Sequence, residues 1–198
     1  HYDACASALS RGPYHLMGGV GHHDLVVTRD HYKNFADLSL AKAATLFEVF
    51  KKRYRVLSAD PCILYASVFF NWGVTAGASL YHPHYQILSL PIIPPDVQHS
   101  ISGTDRYFRK YGRCPHCEII SYERKEKKRI VADNGRAIAF TPFFSRQPFE
   151  VRVFPKSHIP HFRDTPASQL RAIAEVMQKA IKQIRKNLND PDFNFFIQ

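Results

Sequence analysis

VVTRDHYKNFADLS (residues 26–39) and VFPKSHIPHFRDTP (residues 153–166) are two versions of one pattern. Phe35 and Asp37 lie four and six residues after His31, and Phe162 and Asp164 lie four and six residues after His158. Each stretch leads into apolar residues at helical spacing. In the first, Leu40, Ala43, Phe47, Phe50 and Tyr54 recur; in the second, Leu170, Ile173, Met177, Ala180, Ile184 and Leu188 do. Both series predict a helix with an apolar stripe that must pack on something. Ser39 and Thr165 are the expected N-caps, with Pro166 at the first helical position. Each helix is expected to stop before an Asp-Pro pair, Asp60-Pro61 and Asp190-Pro191. A β-rich apolar run follows each, CILYASVFF (62–70) and FNFFIQ (193–198).

The unit is therefore strand, histidine turn, helix, strand, and it occurs twice. A duplicated α+β unit with antiparallel sheets and helices on one face is the expected fold class. The expected division is residues 1–105 for the first half and 106–198 for the second. Residues 91–112, with Pro94-Pro95, are expected to connect the copies, because the proline pair interrupts any strand there. The chain opens on His1 without a methionine. In the second copy it stops at Gln198, where the counterpart of the next strand would begin. Both points lead to the expectation that the sequence is part of a longer chain.

Composition bounds the rest. At 198 residues, 45% hydrophobic and 22% charged, the chain can bury a sizeable core. It has no apolar run long enough to span a membrane and no visible secretory signal. A formal charge of +10 implies anionic partners, either nucleic acid or phosphorylated small molecules. The basic run RKEKKR (124–129) reads as a solvated face. It is short, contains Glu126, and has no exposed aromatic array beside it for base stacking.

The four cysteines do not read as a disulfide framework. Cys62 lies in an apolar run and is expected in the core, and Cys5 has no reading. A reducing, cytoplasmic compartment fits this usage. Cys114 and Cys117 form CPHC, half of a metal site. Zinc is favoured over redox use because the pair is expected in a loop after the proline-rich connection rather than at a helix start. Structural zinc wants four ligands; His158 is the expected third. Its repeat partner, His31, is then a ligand of an analogous first site with His82. Either histidine alone reads equally well as a hydrogen-bonded turn residue.

The chemistry concentrates in NWGVTAGASLYHPHYQ (71–86). In a strand, His82, His84 and Gln86 would share one face. A glycine-containing loop with Gly73, Gly77 and Ser79 precedes them, where backbone can approach a ligand closely. An imidazole in such a place can act as a nucleophile toward phosphorus.

This stretch resembles the active-site motif of the galactose-1-phosphate uridylyltransferase family, within the histidine-triad superfamily. Asn71, Gly73, Gly77, Ser79, His82, Pro83, His84 and Gln86 match every fixed position of Asn-x-Gly-x-x-x-Gly-x-Ser-x-x-His-Pro-His-x-Gln. Tyr85 is a departure, since glycine is common at that position. The resemblance extends over nearly the whole chain, through GHHDLVVTRDH (21–31) and through the CPHC and Pro155-Lys156-Ser157-His158 segments.

The resemblance implies that His84 attacks the α-phosphorus of a UDP-sugar, releasing sugar 1-phosphate and forming a uridylyl-histidine. A second hexose 1-phosphate then takes the nucleotidyl group. It implies that Gln86 and Ser79 hydrogen-bond the α-phosphate, and that Asn71 and Gly77 contact the nucleotide. The carbonyl of His82 would hold the other ring nitrogen of His84. His31 and His82 would bind one metal. Cys114, Cys117 and His158 would bind a second, as in related ADP-glucose phosphorylases. Zinc is the implied ion, with iron an option at the second site. The implied partners are a nucleotide sugar and a sugar 1-phosphate, with a homodimer as the assembly and no membrane or nucleic-acid partner. An ADP-glucose or dinucleoside-polyphosphate phosphorylase keeps the nucleophile and changes the substrates. A zinc-organised nucleic-acid-binding module is a different class; it predicts salt-sensitive binding that survives His84→Ala.

Overall fold

The computed structural model describes Cys5 and residues 8–197. The elements run β1 (Ala8–Arg11), β2 (Tyr14–Met17), β3 (His22–Val27), α1 (Leu40–Leu57), β4 (Tyr65–Trp72) and β5 (His84–Leu90), then α2 (Pro95–Tyr111), α3 (Pro115–Glu126), β6 (Ile130–Asp133), β7 (Ala137–Phe140), β8 (Arg152–Pro155), α4 (Ala167–Asn187) and β9 (Phe193–Ile197). Three antiparallel sheets result: a β1-β2 hairpin, a four-stranded sheet in the order β3-β5-β4-β9, and a three-stranded sheet β6-β7-β8. The expected α+β architecture with antiparallel sheets is the one observed.

The repeat is visible at the level of single turns. Phe35–Asp37 and Phe162–Asp164 each form a short 3-10 turn just ahead of a long helix. Ser39 caps α1 as expected, its Oγ accepting from the Lys42 amide at 3.3 Å. At α4 the cap falls one residue later than expected. Pro166 is the N-cap, and Thr165 is buried with its carbonyl accepting from Lys51 Nζ at 3.0 Å.

The helix α4 buries more than the single stripe its spacing suggested. Leu170, Ala174, Met177 and Ile181 face α1 and the four-stranded sheet, within a core that includes Phe35, Phe47, Phe50, Phe70, Tyr85 and Ile87. Ala172, Val176 and Ala180 face the three-stranded sheet, against Ala137 and Ala139. Gln178, on the flank of the first row away from the second, is also buried, and its Nε2 donates to the carbonyls of Phe35 at 2.9 Å and Leu38 at 2.8 Å. The strand β9, from the second repeat, joins the sheet of the first, pairing Phe195 with Phe70 and Asn194 with Asn71.

Two expectations need correction. Cys62 is not a core residue: it lies half-buried in the turn after Pro61, before β4 begins, where Cys5 reaches it to form a disulfide with a Cα–Cα distance of 5.0 Å. A turn thiol outside the packed layers is accessible to a second cysteine, so burial does not protect it. The cysteine usage therefore gives no support to a reducing compartment. Further, the connection between the repeats, expected only to interrupt any strand, is largely helical. Pro95 occupies the first turn of α2, and Gly112 ends the helix in a left-handed conformation at φ 68°. Asp96 near its start and Arg109 and Lys110 near its end match the helix dipole. Among the described residues, no helix is long and apolar enough to cross a membrane.

The buried amide of Gln178 gives the first test. Gln178→Leu keeps the volume but strands two buried carbonyls. We expect a loss of roughly 2 kcal/mol, read calorimetrically as a Tm lowered by about 4–8 °C.

Candidate active site

The strand β5 is central, paired with β3 on one side and β4 on the other. Tyr85 and Ile87 are fully buried in the core beneath it. Alternation then places His84 and Gln86 on the opposite face of the sheet. Their cross-strand neighbours there are Val27 and Leu25 on β3, both exposed, and Phe69 on β4.

His84 is only 8% exposed, and its Nδ1 lies 2.9 Å from the carbonyl oxygen of His82. A carbonyl only accepts, so Nδ1 carries the proton and Nε2 of the neutral ring keeps its lone pair. His82 does not lie on the strand, contrary to the expectation that it would share a face with His84 and Gln86. Strand pairing begins at His84, after Pro83, whose nitrogen has no hydrogen to donate. The His82 ring turns instead toward β3: its Nε2 donates to the Thr28 carbonyl at 2.7 Å. That leaves Nδ1 of His82 as a free donor atom. The His31 ring sits beside it, with ring centroids 4.5 Å apart. An imidazole whose N–H is held by a backbone carbonyl is the usual support for a metal-ligating histidine.

The loop before His82 is pinned from the far end of the chain. Asp192 Oδ2 accepts from the Thr75 amide at 2.7 Å and from Thr75 Oγ1 at 2.5 Å. Asn194 Nδ2 donates to the Ala76 carbonyl at 3.1 Å. Gly73, at φ 89°, leaves room for this clasp; a Cβ there would lie 1.8 Å from Asp192 Oδ1. The Thr75 hydrogen bonds hold the Asp192 carboxyl below the usual carboxylate range. The loop folds back over Asn71: a Cβ on Gly77 would lie 3.6 Å from Asn71 Nδ2. Asn71, Gly77, His84 and Gln86 are thus assembled along one side of β4 and β5. Ser79 is exposed in the same loop and makes no described contact with His84 or Gln86.

The second half carries a separate cluster. Ligand atoms of Cys114, Cys117 and His158 all lie within 4.8 Å of one another, and Cys117 Sγ is 3.2 Å from His158 Nδ1. Cys114 is the N-cap of α3 and Pro115 its first residue. The pair is therefore at a helix start, not in the loop expected. The element before it is α2 rather than a strand, so the thioredoxin-like context is still lacking. Burial, together with the neighbouring Cys114 thiol, pushes the Cys117 thiol up. A divalent cation would reverse that, since coordination deprotonates both thiols. Two thiols and an imidazole at this separation suit a zinc-type ion. Lys156 braces the turn that carries His158 through a 2.5 Å ion pair with Asp133.

Sequence reasoning missed Asp192 and Asn194, which bear on the loop only through the β9 pairing. It also missed His23, whose Nε2 lies 2.9 Å from Gln86 Oε1. The alternation in HHDLVV, which puts His23, Leu25 and Val27 on one face, was the available signal for it.

The strand histidine His84, with one nitrogen tied to the carbonyl two residues back, is what the resemblance to the histidine-triad superfamily implies. Comparison with known proteins agrees. The chain is 33% identical over 190 residues to ADP-glucose phosphorylase of Arabidopsis thaliana, covering 94% of this chain and 52% of that protein. It is 29% identical over 188 residues to galactose-1-phosphate uridylyltransferase of Thermotoga maritima, covering 94% and 58%. The crystal structure of an Arabidopsis thaliana ADP-glucose phosphorylase with bound ADP-glucose superposes with a TM-score of 0.85 at 30% identity, covering 92% of this chain and 57% of that one. A solved uridylyltransferase gives 0.87 at 26% identity, covering 96% and 60%. The chain belongs to the family described as Domain of unknown function (DUF4921), matched over residues 6–184, among histidine-triad relatives named galactose-1-phosphate uridylyltransferase and ADP-glucose phosphorylase. It spans about half the length of the curated relatives it matches.

The clasp on the loop makes a pH prediction. The Asp192 carboxyl is depressed in the fold, so its contribution is fully present above the unfolded value of 3.8 and is lost as pH falls below it. The Thr75 amide resonance should titrate with a midpoint below 3.8. In Asp192→Asn it should stay flat across that range, with Thr75 exchanging its amide hydrogen faster at neutral pH.

Proposed function

We propose that the chain carries a nucleotidyl-transfer site in which His84 is the nucleophile. The observation that carries this reading is the 2.9 Å hydrogen bond from His84 Nδ1 to the His82 carbonyl, which leaves Nε2 unprotonated on the same face as Gln86. Nε2 attacks the α-phosphorus of a nucleotide sugar; the bond to the bridging oxygen breaks, and sugar 1-phosphate departs with that electron pair. A phosphate oxygen of the acceptor then attacks the same phosphorus and releases His84. Splitting one displacement into two is the gain of covalent catalysis. Gln86 and Ser79 donate to the α-phosphate oxygens, where charge builds during both steps. Asn71 and Gly77 contact the nucleotide, and the Asp192 clasp holds their loop in position.

The donor we favour is UDP-glucose with galactose 1-phosphate or another hexose 1-phosphate as acceptor, supported by the run of relatives named galactose-1-phosphate uridylyltransferase. A second reading has specific support. The 33% identity to an ADP-glucose phosphorylase favours ADP-glucose as donor and inorganic phosphate as acceptor. Both readings use the same histidine. The +10 charge suits either set of anionic substrates.

We further propose zinc, or iron, at Cys114, Cys117 and His158, and a metal held in part by His31 and His82. The role of both is to hold turns in place: one fixes the start of α3 against the end of β8, the other the approach to His84. Assembly as a homodimer belongs to this reading.

Radiolabelled UDP-glucose and ADP-glucose, offered separately, decide the donor. We expect one of them to leave an acid-labile, base-stable nucleotidyl adduct on His84. His84→Ala should lower turnover by roughly 10³-fold or more while leaving the fold intact. Absence of adduct with either donor would sink the covalent mechanism. For the metal, elemental analysis of Cys114→Ser should show about one equivalent per chain less than wild type; unchanged content refutes the assignment.

A further inference from the structure

A glutamine that must donate to a phosphate has a geometric problem. Its carboxamide has a donor end and an acceptor end of nearly the same shape. Rotation by half a turn would aim an oxygen at an anion. Something has to decide which end faces the open side of the sheet.

His23 is placed to do this. It lies on β3 opposite Leu88, diagonal to Gln86 across the strand pair. Its Nε2 is 2.9 Å from Gln86 Oε1. The amide oxygen only accepts, so in this arrangement His23 Nε2 carries the hydrogen and donates it. The oxygen of Gln86 is thereby occupied toward β3, and the NH2 group is left for the side of the sheet that carries His84. The His23 ring is itself braced, stacked on Phe69 of β4 with centroids 6.5 Å apart and planes 24° from parallel. Leu25 and Val27 beside it are exposed, so the ring is not there to complete a core.

We infer that His23 is a positioning residue: it locks the Gln86 carboxamide with its NH2 facing the transferred phosphoryl group. The inference rests on the nucleotidyl-transfer reading above and adds a residue to it. His23 touches no reacting atom. It acts only by removing the unproductive rotamer of Gln86, so its effect belongs in the transition state, where the phosphoryl oxygens carry most charge.

The test is a double-mutant cycle on the intact protein, using whichever of UDP-glucose or ADP-glucose labels His84. His23→Phe keeps a ring over Phe69 and removes the donor. It should lower kcat by about 10- to 100-fold, with the KM for the donor changed by less than about threefold. In a Gln86→Ala background the same substitution should cost less than about twofold, because there is no amide left to orient. His23→Gln, which can donate through its own amide, should recover part of the lost kcat. An equal loss in both backgrounds would assign His23 a merely structural role and overturn the inference. So would a His23→Phe protein with wild-type kcat. If wild-type protein transfers no nucleotide to His84 from either donor, the reading beneath the inference fails and both fall. That result is distinct from an active wild type indifferent to His23.

Discussion

The helix α4 is the constraint on which the rest of the molecule depends. It is apolar on two rows, and the rows face different sheets. Leu170, Ala174, Met177 and Ile181 close the core under the four-stranded sheet. Ala172, Val176 and Ala180 close the core over the three-stranded one. A helix apolar on so much of its circumference cannot rest on a surface; it must be buried between layers. The small residues matter as much as the large ones, because alanines on α4 and on β7 let the helix approach the second sheet closely. Gln178 flanks the first row and satisfies two carbonyls in the 3-10 turn and its exit ahead of α1. A buried amide that can meet its partners in only one arrangement specifies how α4 lies against the first repeat, where apolar contacts alone would tolerate sliding.

From that packing follows the placement of the chemistry. With α1 and α4 beneath the four-stranded sheet, Tyr85 and Ile87 have one place to go, and the parity of β5 is set. A register slip of one residue would turn His84 into the apolar core and Tyr85 onto the opposite face of the sheet. Burial of an aromatic cluster that includes Phe35, Phe50, Phe70, Tyr85 and Phe195 opposes it. The same core therefore sets which face of the sheet carries His84. Pro83 completes the arrangement. It ends strand pairing at His84, so His82 is free to leave the plane and turn toward Thr28 and His31. Two histidines one residue apart acquire different hydrogen-bond partners, and with them different free nitrogens: Nε2 on His84, Nδ1 on His82.

How far the sequence could be read follows from which of these constraints are local. The repeat, both long helices and their apolar stripes are encoded over short spans, and the structure has them within a residue of their expected starts. That His84 and Gln86 share a strand face is legible because alternation is a matter of adjacent residues; the contact of the His82 carbonyl with His84 is what the family resemblance implies. What could not be read depends on distant pairing. The clasp of Asp192 on Thr75 needs β9 to cross 117 residues back to the first sheet. The Cys5–Cys62 bond needs a turn to meet a segment 57 residues earlier. Helix α2 is a different case. Pro94-Pro95 rules out a strand, but a proline in the first turn also starts a helix as readily as it ends a strand. The start of α3 at Cys114 was hidden for the same reason, by Pro115.

The two repeats have diverged in what surrounds the histidine of each turn. Each sets a histidine just before the 3-10 turn, His31 in one and His158 in the other. In the first, that histidine meets His82 from the strand approach; in the second, it meets Cys114 and Cys117 from the start of α3. The common element is thus a turn histidine set beside a potential metal donor from another part of its own half. Such a pairing is most useful where packing is thin. His31 and His158 are both exposed, and α3 buries only Ile120 and Glu123. Apolar packing at the centre and the clasp of Asp192 and Asn194 on the loop divide the task of holding β5 and its loop still, which is what a site that works by positioning requires.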